Sequence, residues 1–350
     1  MKSLSPHSTI EIIIPNWNGK ELLAECLHSL SRQTCREFCI TVVDNGSEDD
    51  SLPFVRSEFP QVKVISFSEN RGFSVAVNEG IRQSESDWIM LLNNDIEVEE
   101  QCVEMMIHAI ETYKEYDSFS IRMMSYHERM VFDGAGDAVL RGGVGYRVGT
   151  LEKDTGQYDT DRDVFGACAG AALYSSRFFS VVGLFDEDFF AYLEDLDINM
   201  RAVRAGLKCK YLAAAKVYHI GSATSGSKIN PFTIRLSTKN NINVLVKNYP
   251  VSLLFRFFPV IVIYQLMWFL FVCKKGQLNA YFKGLREAVK QVKLMQQKRE
   301  LINSSHAISI KAFGGELTLS EREAVKSIMN RRKALGKGNF LLETYNKIFL

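Results

Sequence analysis

The chain of 350 residues carries 42 Lys and Arg against 41 Asp and Glu, a formal net charge of +1, and 46% of its residues are hydrophobic. Length and composition suit a soluble enzymatic core made of one large α/β domain with an additional region. Seven irregularly spaced cysteines argue against a disulfide framework or a zinc site, and the lack of an apolar leader before the first predicted strand argues against export.

Four short apolar segments near the N-terminus are predicted to be strands that each end in polar residues. They lie at residues 10–14, 39–43, 62–65 and 89–92, and helical apolar spacing at 22–30 and 75–81 predicts helices between them. Strands that alternate with helices indicate βαβ units and a parallel sheet. All four polar ends are therefore expected along one edge of the sheet, where open α/β sheets bind ligands.

The fourth strand runs directly into Asn93, Asn94 and Asp95, with Glu97 close behind. Hard oxygen ligands suit Mg²⁺ or Mn²⁺, which proteins often bind through one or two carboxylates together with substrate phosphates. This pattern predicts a site for a metal and a diphosphate. Taken alone, the segment is equally typical of a strand followed by an Asn-Asp turn.

A second group of carboxylates, Glu194, Asp195 and Asp197, is predicted in the first turn of a helix. The prediction rests on apolar residues that recur at intervals of three and four from 193 to 207. There the helix macrodipole favours negative charge, so we expect ionised carboxylates, one of which can act as a general base. Asp197 is expected to pair with Arg201 one turn later.

Five motifs in this order resemble family 2 glycosyltransferases of the GT-A fold, especially the rhamnosyltransferase-like branch that builds bacterial surface polysaccharides. They lie at residues 15–19, 43–47, 70–73, 91–95 and 189–197, and the resemblance spans about residues 9–225. It implies a Rossmann-like, mostly parallel central sheet with flanking helices. It also implies a metal-dependent enzyme, using Mg²⁺ or Mn²⁺, that moves a sugar such as rhamnose from a nucleoside-diphosphate sugar to a lipid-linked saccharide, with inversion.

The resemblance further implies roles for individual residues. Nucleotide-sugar binding is expected of Pro15, Asn16, Asn18, Asp44, Asn70, Gly72, Asn93 and Asn94. Asp44 would accept hydrogen bonds from the base, with an Asx turn as its structural alternative, and Gly72 would let the backbone approach the nucleoside. Asp95 and His219 would bind the metal. Asp195 would be the general base, and Glu194 would orient the acceptor or cap the helix.

Two glycine-rich or small-residue segments lie between these motifs. The segment Gly134 to Gly149 is expected to be a mobile loop, with Arg141 and Arg147 either meeting phosphate or serving as solvated surface charges. The resemblance implies that residues 166–172 let the donor sugar and the acceptor approach the backbone.

The chain is predicted to divide into a catalytic domain, residues 1–250, and a helical C-terminal region, residues 251–350. Residues 253–273 are apolar but short for a membrane span, and residues 274–337 carry a net charge of +10. Together they predict peripheral or monotopic attachment to the cytoplasmic face of the inner membrane. A true span would put the basic tail on the opposite side of the membrane from the catalytic domain, against the positive-inside rule. The alternative is an ordinary buried helix or a dimer interface. Helices in this region could also pair between chains, so a homo-oligomer is left open.

The sequence also bears on one other partner, nucleic acid, and on two other functions. Nucleic acid is not an expected partner, because the aromatic residues form one apolar block instead of interleaving with the charges. A nucleotidyltransferase would need a phosphate loop rich in Gly, Arg and Lys after the first strand, and residues 15–19 are not one. A non-catalytic binding subunit is the other alternative. The sequence leaves open which nucleotide and sugar the donor carries.

Overall fold

The computed structural model describes residues 10–221, 229–304 and 306–350; residues 222–225 of the resemblance lie outside these ranges. Its first part alternates strands and helices as the sequence predicts. The elements are β1 (Ile10–Asn16), α1 (Lys20–Ser31), β2 (Phe38–Asp44), α2 (Ser51–Glu58), β3 (Lys63–Ser66), α3 (Phe73–Arg82), β4 (Trp88–Leu92), β5 (Ile96–Val98) and α4 (Cys102–Thr112). Ile12 and Ile14 pack into one apolar cluster and Ile13 into another, so β1 is buried on both faces.

The middle part is richer in strands. It contains β6 (Ser118–Ser125), β7 (Phe132–Gly134), β8 (Asp137–Leu140), β9 (Val144–Arg147), β10 (Arg162–Val164), β11 (Ala171–Ser175), α5 (Ser176–Val182), α6 (Glu194–Arg204) and β12 (Cys209–His219), with a 3₁₀ turn at Glu187–Phe189. The first turn of α6 contains the three predicted carboxylates.

The main sheet has the strand order β10–β12–β6–β11–β4–β1–β2–β3, with β5 beside β12 and β7 beside β6. Strands β1 to β4 are parallel where they pair, so their polar ends share one edge as predicted. Strand β11 runs antiparallel to both β4 and β6, and β10 and β5 run antiparallel to β12. The sheet is therefore mixed, and the prediction of a mostly parallel sheet was wrong for its second half, where short strands follow no βαβ crossover.

The glycine-rich segment forms an antiparallel hairpin, β8–β9, instead of a mobile loop. Helix α11 holds it: the amide of Val139 donates to the Ser320 hydroxyl at 2.8 Å, and Tyr146 and Ser327 share a hydrogen bond of 3.0 Å. At the turn, a Cβ on Gly142 would lie 2.4 Å from the side chain of Tyr264. The hairpin is thus clamped by helices from the C-terminal part of the chain.

The C-terminal part is helical, as predicted. Its helices are α7 (Pro231–Asn248), α8 (Val251–Arg256), α9 (Phe258–Lys274), α10 (Leu278–Ser304), α11 (Ile310–Ala334) and α12 (Phe340–Phe349). One apolar cluster joins Val139 and Leu196 of the catalytic region to Phe257, Phe313 and Leu317, so residues on both sides of position 250 share a core. Within the described ranges, no helix has both the length and the apolarity that crossing a membrane requires.

Replacing Glu321 by Ala should lower the free energy of unfolding by about 3–5 kcal/mol, because it leaves the buried guanidinium of Arg141 without its carboxylate. Glu321 is fully buried, pairs with Arg141 and accepts a hydrogen bond from Tyr345 at 2.8 Å. Urea unfolding measures the change. Glu316→Ala, an exposed site on the same helix, is the control. Equal stability of the two variants would contradict a shared core.

Candidate active site

A cavity of about 1020 Å³ opens at the carboxyl ends of β1 and β4 and is closed on its other side by the hairpin and the start of α6. It brings together most of the residues that the sequence singled out. The predicted residues in its wall are Pro15, Asn16, Asn70, Gly72, Asn93, Asn94, Asp95, Glu194, Asp195 and His219. Asn18 and Asp44 are not in the wall.

Asp44 organises the loops beneath the cavity. It is 1% exposed, and its carboxylate accepts hydrogen bonds from the side-chain amide of Asn16 at 3.2 Å and from the backbone amide of Ser47 at 3.0 Å. Asn18 accepts from the backbone amide of Glu48 at 2.7 Å. Ser47 lies three residues after Asp44, one more than an Asx turn spans, and base recognition by this carboxylate stays a prediction.

Asn45, which sequence reasoning missed, fixes the third polar loop. Its side chain donates to the Asn70 side chain at 3.0 Å and to the Gly72 carbonyl at 3.1 Å. Gly72 has φ +89, and a Cβ there would lie 2.6 Å from the ring of Phe190. Glycine is thus required at position 72 by its backbone conformation and by its contact with Phe190.

The predicted metal ligands lie side by side. Oδ1 of Asp95 is 3.3 Å from Nε2 of His219, because β5 pairs with β12 and places Ile96 opposite His219. Nδ1 of His219 is 2.7 Å from the carboxylate of Asp133, an arrangement that orients metal-binding imidazoles in proteins. The pKa of His219 is lowered by burial, but its hydrogen bonds to Asp133 and Asp95 outweigh this and raise the pKa overall.

This donor set fits a divalent cation. A carboxylate oxygen and an imidazole nitrogen converge on one point of the cavity wall, and Asp133 fixes the tautomer that leaves Nε2 available. Asp133 was not predicted from the sequence. Its position depends on the pairing of β7 with β6, which no local sequence pattern predicts.

In another part of the cavity wall, donor atoms of Asp137, Cys168 and Asp195 lie within 4.8 Å of one another. Burial raises the pKa of Asp137 to about 8, with Asp195 adding to the effect. Burial also raises the pKa of Glu194 to about 8 and that of Asp195 above its usual value. Burial therefore opposes the ionisation that the macrodipole was expected to favour, most strongly at Glu194, because a helix terminus stabilises charge by only about 0.3–1 kcal/mol.

Arg147 lies between Asp133, which contacts His219, and Cys168, which lies beside Asp137 and Asp195. Its guanidinium pairs with Asp133, and its Nη2 lies 3.0 Å from the Cys168 sulfur. The positive charge of Arg147 also lowers the pKa of Asp195, against the effect of burial. Arg141, by contrast, is a buried partner of Glu321 and not a solvated surface charge.

Asp197, unlike its neighbours, is structural. It is fully buried and pairs with Arg201, as predicted, at 2.8 Å. The ammonium of Lys247 lies 2.8 Å from the same carboxylate, and Asn248 donates to it at 2.8 Å. Burial opposes ionisation, but Arg201 and Lys247 prevail and lower the pKa of Asp197.

The segment before α6 is strained. Phe190, Tyr192 and Leu193 have φ of +67, +70 and +65, values that bulky side chains seldom adopt. The side-chain amide of Asn240 holds the segment by donating to the carbonyls of Phe189, Ala191 and Tyr192 at 2.7–3.0 Å. Asn240 therefore positions the start of α6, and only its place in the fold reveals this.

The small residues 166–172 allow α6 to approach the sheet. A Cβ on Gly166 would lie 2.2 Å from the side chain of Asn199, which donates to the carbonyl of Ala167 at 2.9 Å. Cys168 and Gly170 line the cavity. Access of ligands to this backbone stays a prediction.

The sequence and the fold both resemble those of known glycosyltransferases. The sequence model of the family "Glycosyl transferase family 2" matches residues 11–182, a range that includes Asp95 and ends before Asp195 and His219. The glycosyltransferase YwdF of Bacillus subtilis (strain 168), itself uncharacterized, is 27% identical over 253 residues, covering 70% of this chain and 89% of the relative. An N-acetylglucosaminyl-diphospho-decaprenol L-rhamnosyltransferase of Mycobacterium tuberculosis (strain CDC 1551 / Oshkosh) is 24% identical over 226 residues, covering 58% and 73%.

Among solved structures, that of GalNAc-T7 with UDP, GalNAc and Mn²⁺ aligns with a TM-score of 0.64 at 15% identity. The alignment covers 89% of this chain, which spans little more than half, 56%, of the GalNAc-T7 chain. This likeness confirms a GT-A-like α/β fold.

Arg147→Gln should move the acidic limb of the pH dependence of kcat/KM upward by about one pH unit, because a nearby cation lowers a carboxyl pKa by about 1–3 units. Removing it raises the pKa of Asp195, so activity at neutral pH falls and recovers as the pH is raised. Arg147→Lys should shift the profile less. Arg129→Gln, which removes an exposed partner of Glu97, is the control. A loss that is uniform at all pH values would show that Arg147 does not tune the base.

Proposed function

Because this chain is a glycosyltransferase with a family 2 domain at residues 11–182, we propose that it transfers a sugar from a nucleoside-diphosphate sugar to an acceptor hydroxyl with inversion. One observation carries the proposal: a single cavity is lined by Asp95, His219 and Asp195. Departure of a diphosphate and removal of a proton can thus occur around one bound sugar.

The donor nucleotide is assigned to the polar loops after β1, β2 and β3. Pro15, Asn16, Asn70 and Gly72 line this part of the cavity, and the buried hydrogen bonds of Asp44 hold it in shape before any ligand arrives. Such preorganisation reduces the entropy lost on binding.

Asp95 and His219 would hold Mg²⁺ or Mn²⁺, with Asn93 beside them in the wall. A cation bound there would neutralise negative charge on the diphosphate. The protein itself contributes the guanidinium of Arg147, held in place by Asp133. These positive groups favour the leaving group over the intact donor.

Asp195 is proposed as the general base. With pKa values of about 8, Asp137 and Glu194 stay protonated at neutral pH, so repulsion leaves one charge for the group. Asp195 is the best place for that charge, because the amide of Leu196 donates to its carboxylate at 2.8 Å, whereas Oδ1 of Asp137 and Oε2 of Glu194 have no hydrogen-bond partner among the described residues. Asp195 would take the proton of the acceptor hydroxyl as that oxygen attacks the anomeric carbon.

A lipid-linked saccharide is the proposed acceptor, in surface polysaccharide or glycolipid biosynthesis, with rhamnose as the first sugar to test. Support comes from the Mycobacterium relative, named for rhamnosyl transfer to a decaprenol-linked sugar, and from the surface of α8 and α9. Their large exposed apolar residues are Val251, Phe255, Phe258, Val262, Leu266, Met267 and Leu270.

These residues, which we term the apolar face, are well placed to meet a bilayer. Positions 258, 262, 266 and 270 are four apart and form one stripe along α9. The other side of α9 packs inward, where Gln265 donates to Asn241 at 2.5 Å and Trp268 to Thr238 at 2.9 Å. Lys274 and Lys275 follow the stripe and are exposed, which suits anionic lipid headgroups. We propose attachment to the cytoplasmic surface of the membrane through this face.

The decisive comparison is between Asp95→Ala and Asp195→Asn. Thermal shifts are recorded with dTDP, UDP, GDP and CDP, each with and without Mn²⁺, since a ligand that binds only the folded protein raises its stability. We expect one nucleotide to give a metal-dependent shift that Asp95→Ala abolishes and Asp195→Asn retains. Transfer of the matching sugar to N-acetylglucosaminyl-diphospho-decaprenol should fall at least about 100-fold in both variants.

Each part can fail separately. Wild-type turnover in Asp195→Asn would exclude it as the base. The absence of any nucleotide shift in the wild-type protein would favour the alternative, a non-catalytic binding subunit.

Glutamate at Phe258 and Leu266 together should weaken binding to phosphatidylglycerol vesicles at least about tenfold in flotation assays. Each apolar side chain buried in lipid is worth about 1.5–3 kcal/mol. Leu319→Glu, at an exposed apolar position on α11, should bind like the wild type. Unchanged flotation of the double variant, or its conversion from dimer to monomer in solution, would instead assign the face to protein contacts.

A further inference from the structure

Two carboxyl oxygens beside Asp195 are buried and lack a hydrogen-bond partner among the described residues. They are Oδ1 of Asp137 and Oε2 of Glu194. Both residues line the cavity, and Glu194 is only 8% exposed. Since leaving a buried polar group unpaired is costly and rare in folded proteins, these oxygens are expected to meet their partners in a bound ligand.

The spacing of the carboxyl groups limits what that ligand is. An oxygen of Asp137 lies within 4.8 Å of an oxygen of Asp195, and a hydroxyl–carboxyl hydrogen bond spans about 2.5–3.0 Å. Two hydroxyl groups on adjacent carbons of one ring can therefore each reach one of these carboxyl groups. A ligand with one isolated hydroxyl would leave Asp137 unpaired.

The position of Asp137 relative to Arg147 assigns it to the acceptor. The guanidinium contacts Asp133 on the side of the metal ligands and Cys168 on the other side. Asp137 belongs with Cys168 and Asp195, the side where the acceptor hydroxyl loses its proton. The backbone fixes Asp137 there, because its amide donates to the Gly166 carbonyl at 3.0 Å.

We propose that Asp137 binds the hydroxyl group adjacent to the one that Asp195 deprotonates, so that the enzyme selects acceptor sugars with a vicinal diol. This inference rests on the proposed function. Asp137 forms a hydrogen bond to the neighbouring hydroxyl and takes part in no bond making or breaking. It orients the ring so that the reacting oxygen faces both Asp195 and the donor.

The test pairs Asp137→Ala with acceptors that each lack one ring hydroxyl. The acceptor is N-acetylglucosaminyl-diphospho-decaprenol, and analysis of the product identifies the reacting hydroxyl. Removing the adjacent hydroxyl should lower kcat/KM of the wild type about tenfold or more, as expected for a hydrogen bond to a carboxyl group. With the intact acceptor, Asp137→Ala should show a loss of kcat/KM as large as the one that the deoxy acceptor causes in the wild type. With the deoxy acceptor, kcat/KM of Asp137→Ala should fall no further.

If the loss of kcat/KM from the substitution and the loss from the missing hydroxyl are additive, the diol subsite is refuted. The KM for the donor should move less than twofold in Asp137→Ala, whereas a structural role would change it. Asp163→Ala is the matched control, because this carboxylate is exposed and pairs with Lys210 on the outer strand.

A second readout does not depend on the lipid. Donor hydrolysis without lipid acceptor should be suppressed by methyl N-acetylglucosaminide in the wild type and less by its deoxy derivatives, because the glycoside displaces water from the subsite. Asp137→Ala should remove that difference, and a difference that persists would refute the subsite. If the wild type glycosylates none of the lipid acceptors, the proposed acceptor is wrong and this readout alone decides the role of Asp137.

Discussion

The concentration of carboxyl groups around one guanidinium is the constraint on which the rest of the structure depends. Among the described residues, the cavity wall contains five carboxyl groups and one permanently charged cation, Arg147, which interacts with Asp133, Asp137 and Asp195. Charges of like sign in a partly buried site raise one another's carboxyl pKa, so the ionisation of the site depends on the position of Arg147. Its position is set by the β8–β9 hairpin, and the hairpin is held by α11 and α9.

The C-terminal helices therefore have a role inside the molecule as well as at its surface. From the sequence, the apolar and basic composition of residues 251–350 predicts only an external role, in membrane attachment. In the fold, Asn241 donates to the carbonyls of Gly142 and Gly143 and is itself bonded to Gln265 of α9. The helix that carries the apolar face therefore also supports the hairpin that carries Asp137 and Arg147, so the proposed membrane-binding surface and the proposed acceptor subsite depend on the same helix.

How much the sequence predicts follows from how local each feature is. The loops after β1 to β4 could be placed on one sheet edge because alternating strands and helices leave little choice of topology. Asp133, Asp137 and Arg147 could not, because they lie on short strands of local hairpins, and the β8–β9 hairpin is held in place by residues of α11 that are far away in the chain. The protonation of Glu194 could not be predicted either: a position in the first turn of a helix favours charge, but only the packed structure shows that burial outweighs it.

The strained residues before α6 have a consequence for how such an enzyme responds to selection. Tyr192 and Leu193 have left-handed backbone angles that glycine adopts freely, so glycine there would relieve strain while making the start of α6, which carries the proposed base Asp195, less rigid. Screening for heat tolerance alone would accumulate such changes and reward the loss of catalytic order, the familiar conflict between stability and activity. In this chain the conflict concerns the backbone angles of a few residues before α6, which the hydrogen bonds of Asn240 hold in their strained conformation.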